Sequence, residues 1–140
     1  MALPSVGGGY QFTDGNTNEL EIDTQAAPQT ATATATLTTA QTLGGLLVGD
    51  PTTTAATYTL PTATAIDAVM TNMKTNSTFR LTIINLGTST GLITVAVGTG
   101  ITAVGNLVVA ITGSAAGVGG AAQVLFRKTG TAAYSVYRVA

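Results

Sequence analysis

The sequence has no cysteine, no histidine and no tryptophan, and charged residues make up only 8% of its 140 positions. Without cysteine there is no disulfide and no thiolate nucleophile, and the redox compartment leaves no trace. Without histidine the commonest transition-metal ligand and the usual general base near neutral pH are missing. A Ser or Thr nucleophile would lack its His partner, and nothing marks Lys74 or Lys128 as a replacement base. Typical soluble domains are about a quarter charged. A surface this poor in charge promotes association, so much of it is expected to be covered by partner chains.

Threonine supplies the polarity instead, with 29 residues, alongside 17 glycines. Its β-branched side chain suits a pleated surface. The composition therefore points to a mainly β protein whose polar face is made of hydroxyls. The length fits one domain, with room for one sandwich core. We expect an extended N-terminal arm over residues 1–28 and a single β-sandwich domain with one short helix over 29–140.

The few charges are sorted along the chain. Asp14, Glu19, Glu21, Asp23, Asp50 and Asp67 precede every base, and Lys74, Arg80, Arg127, Lys128 and Arg138 follow every acid. Intramolecular pairing is one reading. The other is an acidic arm that meets a basic surface on a neighbouring subunit, where complementary charge sets register. "GGG" at Gly7–Gly9 and the turn signal "TDGN" mark the arm, in which Tyr10 and Phe12 are isolated aromatics suited to anchoring on another surface. The candidate interface residues are thus Tyr10, Phe12, Glu19, Glu21, Asp23, Arg127 and Arg138. The N-terminus shows no secretory signal, so synthesis in a cytoplasm is expected.

"TATATATLT", Thr30 to Thr38, alternates without a slip and reads as one strand, with Ala31, Ala33, Ala35 and Leu37 on one face. Three of those four are methyl groups, each worth only ~0.8 kcal/mol on burial. Such a strand needs its neighbours to hold it. "LPTATAIDAVMTNMK" places Ile66, Val69, Met70 and Met73 on one helical stripe, read as core filler. Thr64 with Asp67 reads as a capping box, and Lys74 falls in the last turn. Five strands follow: Phe79–Leu86, Leu92–Gly98, Leu107–Thr112, Ala122–Lys128 and Tyr134–Ala140, with Gly in the turns between them. The uncharged run Leu107 to Phe126 has the length of a membrane span, but its four glycines favour two strands around a Gly-rich tip.

No motif carries chemistry. Gly98, Gly100 and Ala103 match the letters of a dinucleotide fingerprint, with no helix after them and no later acid to hold a ribose. Glu19, Glu21 and Asp23 share one side of an extended chain at ~7 Å spacing, too far apart to close on one calcium ion. Five bases under a net charge of −1 make a poor nucleic-acid footprint. We therefore expect no catalytic residue, no cofactor, no metal, no nucleic acid, no membrane and no small-molecule substrate.

Three blocks, "MALPSVGGGYQFTDGNTNEL", "YTLPTATAIDAVMTNMKTNSTFRLTIINLGT" and "FRKTGTAAYSVYRVA", resemble the capsid decoration (cement) proteins of tailed bacteriophages, particularly cyanophage and other marine phages. The resemblance implies a jelly-roll-like β-sandwich assembled as a homotrimer on the outside of the head, in contact with the major capsid protein. It implies a virion location and no enzymatic role. A head-fibre or host-attachment, carbohydrate-binding protein is the alternative.

Overall fold

Alternating β-branched and small residues build short strands here, and the chain is mainly β. The structure, a computed structural model, describes residues 24–112 and 120–140. In chain order the elements are β1 (Gln29–Ala31), β2 (Ala35–Thr36), α1 (Thr39–Leu43), β3 (Leu46–Gly49), β4 (Ala56–Thr59), α2 (Ala63–Val69), β5 (Thr78–Asn85), β6 (Ile93–Ala96), β7 (Ile101–Val104), β8 (Val108–Val109), β9 (Ala121–Gly130) and β10 (Ala133–Arg138). They form a six-stranded sheet, β1-β3-β5-β9-β10-β7, and a four-stranded sheet, β2-β4-β6-β8.

Three times in succession the chain runs along the larger sheet and crosses to the smaller one: β1 to β2, β3 to β4, β5 to β6. The first two passes return through α1 and α2. Successive passes stack in parallel, with Thr30 beside Val48 and Val48 beside Ile84 in one sheet, and Ala35 beside Tyr58 and Tyr58 beside Val95 in the other. The chain then lays down β7 and β8, and the β9–β10 hairpin fills the gap between β5 and β7.

Inward residues of both sheets make one core: Leu47, Leu81, Ile83, Val124, Phe126, Tyr134 and Val136 from the larger, and Tyr58, Ile93, Val95 and Val109 from the smaller. Leu37, Leu60 and Ile66 join the same core. Phe79 stacks on Phe126 with ring centroids 4.5 Å apart, and meets Tyr134 edge-on at 6.4 Å. The two-layer form follows from the pleat, which sends alternate side chains inward. Its pairings are mixed, five parallel and three antiparallel among the described residues. A jelly roll is built from Greek keys, whose neighbours are antiparallel.

Several sequence expectations need correction. The Thr30–Thr38 strand is broken: Thr30 and Ala31 belong to the larger sheet, Ala35 and Thr36 to the smaller, and Ala33 and Ala35 are exposed. Methyl groups carry too little burial energy to keep nine residues on one sheet, and only Leu37, 2% exposed, is an apolar anchor. Polar contacts hold the segment instead. The Tyr58 hydroxyl donates to the Ala31 carbonyl across the sandwich (2.9 Å), Gln41 Nε2 to the Thr30 carbonyl (2.7 Å), and the Thr57 N–H to Thr34 Oγ1 (3.0 Å).

Among the described residues there are two helices where one was expected. The short α1 has a capping box in which Thr38 and Gln41 each accept from the other's backbone N–H. The α2 N-cap is Thr62, which accepts from the Ala65 N–H, rather than Thr64. That helix stops at Val69, so Met73 and Lys74 lie beyond it and Val69 is 57% exposed. Met70 and Met73 do pack against the core. Strands β3, β4 and β7 fall outside the five strands expected after the helix, in stretches that Gly and Pro flank. The stretch Leu107–Phe126 contributes β8 and the start of β9, and among the described residues no helix is long and apolar enough to cross a membrane.

Candidate functional site

The most tightly knit polar group lies where α2 meets the β9–β10 turn. Asp67 leaves the helix toward the sheet and accepts from Lys128 Nζ (2.7 Å), the Ala132 N–H (2.8 Å) and the Tyr134 hydroxyl (2.5 Å). The hydrogen bond from Lys128, then those from Tyr134 and Ala132, pull the Asp67 carboxyl down from 3.8 to about 2. Burial, then the hydrogen bond to Asp67, push the Tyr134 phenol above its ordinary range. Lys128 Nζ also sits 5.8 Å from the Tyr134 ring centre. Each member of this cluster is engaged with another, so it acts as a lock of α2 onto the sheet. It also pairs the last acid of the sequence with a base of the second half, so part of the charge sorting resolves inside one chain.

A second polar group is buried outright. Asn85, at the end of β5, is inaccessible to solvent. Its Nδ2 donates to the carbonyls of Gly91 (2.9 Å), Ala110 (3.0 Å) and Val109 (3.2 Å), while Oδ1 accepts from the Gly87 N–H (2.8 Å). One side chain thus ties the larger sheet to the β8 edge of the smaller one.

The larger sheet presents an outer face across β5, β9, β10 and β7. Register places Arg80, Leu125, Tyr137 and Val104 in one row across β5, β9, β10 and β7, and Thr78, Arg127, Ser135 and Thr102 in the next. A third row holds Leu46, Thr82 and Gln123. Arg80 donates to Gln123 (3.0 Å), and Arg127 Nη2 donates to Asn76 Oδ1 (2.6 Å). Hydrogen bonds from Arg127, then Ser135, hold the Tyr137 phenol below its usual range. No acidic residue stands in these three rows.

Of the expected interface residues, Arg127 therefore lies on this face. Arg138 does not join it: its guanidinium turns to the Val108 and Asn106 carbonyls beside β8. Tyr10, Phe12, Glu19, Glu21 and Asp23 lie outside the described residues. Sequence reasoning missed Arg80 and Tyr137, although both occupy outward positions of strands it did recognise. Open hollows also mark the surface of the described residues. One of about 470 Å³ runs between β6 and the β7–β8 turn, lined by Val97, Ala103, Asn106 and Val108. One of about 300 Å³ lies past α2, beside Val69, Met70 and Met73. Among the described residues no three His, Cys, Asp or Glu side chains gather as metal ligands. Compared with known proteins, the chain matches no family model, no curated protein and no solved structure.

Proposed function

We propose that the protein is a structural component of a phage particle, a decoration or cement protein that binds the outside of the head and bridges major capsid protein subunits. The observation that carries this reading is the surface. The 29–36 stretch forms the edge strand of both sheets, paired on one side only, and holds no charged residue. Uncharged edges invite pairing with another chain. A protein that reinforces a shell by main-chain and hydroxyl contacts would use such edges, and strand addition is an established way to make them. The three blocks that resemble phage cement proteins support the same reading.

The proposal includes a homotrimer in the virion, made in the host cytoplasm. A jelly-roll-like body belongs to it only as a two-layered shape, since the mixed pairing differs from Greek keys. Bridging would make later contacts effectively intramolecular, and stabilisation would rise with occupancy by mass action. The test is particle survival. Capsids carrying this protein should release packaged DNA at a higher temperature than capsids lacking it. Equal melting, with binding of the free protein to host glycans, would replace this reading with the host-attachment one.

A further inference from the structure

The outer face of the six-stranded sheet carries two guanidiniums, Arg80 and Arg127, and no carboxylate in the rows around them. Four of the six acidic residues, Asp14, Glu19, Glu21 and Asp23, lie in the chain just before Thr24. The structure places the start of the described chain at the β3–β5 end of that sheet. Gln25 Nε2 donates to the Gly44 carbonyl (2.5 Å), and the next carbonyl, Gly45, accepts from the Thr82 N–H on β5 (3.0 Å). Thr82 is two residues from Arg80 on the same outward side of the strand. Arg127 is on the neighbouring strand β9 opposite Thr78, a diagonal neighbour of Arg80 at ~7–8 Å.

An extended chain advances ~3.3 Å per residue, so the six residues from Gln25 back to Glu19 reach about 20 Å, the scale of the path across β3 and β5 toward the two guanidiniums. Glu19, Glu21 and Asp23 alternate with Leu20 and Ile22, which puts the three carboxylates on one side of an extended chain. We propose that residues 19–23 dock, within the same chain, on the outer face of the six-stranded sheet, with their carboxylates toward Arg80 and Arg127. The segment then covers the face that carries Arg80 and Arg127 with no carboxylate in the rows around them. The proposal concerns the free protein and does not depend on the capsid reading.

Carbodiimide coupling tests it directly, because it joins an amine to a carboxylate only at ion-pair distance. The variant Arg80→Lys/Arg127→Lys keeps both charges and supplies the amines. Lys128 and Asp67, already 2.7 Å apart, give an internal positive control. Peptide mapping should find residues 19–23 joined to position 80 or 127. In a mixture of ¹⁴N- and ¹⁵N-labelled protein, the product should carry unmixed isotopes. High salt should lower its yield several-fold while sparing the Asp67–Lys128 product, since screening acts most on exposed pairs. Isotopically mixed products would overturn docking within one chain. Coupling of the acidic segment to Lys74 at the same yield, or no coupling beside a normal control, would overturn the docking face.

Discussion

Asn85 carries more structure than any other polar side chain described here, because four backbone groups depend on it. Replacing it with Ala removes the donor to three carbonyls and the acceptor of the Gly87 N–H at a buried junction, at a cost of about 3–5 kcal/mol. A drop in the urea midpoint with an unchanged slope is the expected readout. Asp67 acts differently, through charge. Its carboxyl titrates near 2 when folded and near 3.8 when unfolded, so its stabilisation is complete above about pH 4 and is lost as pH falls through about 2. The stability gap between wild type and Asp67→Asn should therefore shrink over that interval and be flat from pH 5 to 8. A gap unchanged at pH 2 would refute the role given to the Lys128 and Tyr134 hydrogen bonds. The sequence showed Asp67 as a helix residue but gave no sign of its partner, since Lys128 is remote in the chain and only the sheet brings it near.

Among elements, legibility followed side-chain size. Strands β5, β9 and β10 carry alternating Phe, Leu, Ile, Val and Tyr, and their inward faces could be read off directly. Strands β3, β4 and β7 are four residues each, set among Gly and Pro, and their partners are parallel strands far along the chain. Nothing local announces such pairing. The helix α1 was legible, however: Thr38-x-x-Gln41 is a capping box in plain view, and "TLTTA" before it echoes "TLPTA" before α2. Gln41→Ala removes the side-chain half of that box and the bond to Thr30, and should cost about 1–2 kcal/mol in unfolding experiments. Tyr58→Phe removes only the hydroxyl that bridges β4 to β1. It should cost about 1 kcal/mol, and amide exchange should quicken in 29–31 before it does in the core. Exchange that quickens uniformly would mean the bridge is not what fastens that edge.

At the scale of the whole molecule, two properties stand out: a surface with few charges and a sheet closed by its last hairpin. The first predicts self-association. Light scattering at micromolar concentration should return a multiple of 13.9 kDa, threefold for the trimer, and a stable single-chain mass would argue against it. The second can be followed in time. Phe79 pairs with Phe126, about a third of the chain away, and β7 pairs only with β10 in its sheet. A nascent chain emerging from the ribosome can stack its three parallel passes, but β5 keeps a bare flank and β7 waits without a neighbour until the hairpin arrives. Distant pairings of this kind slow folding and prolong exposure of unpaired strands. The final twenty residues therefore act as a latch: a chain stalled before Ala121 is left with two open seams, and threonine-rich seams meet copies of themselves.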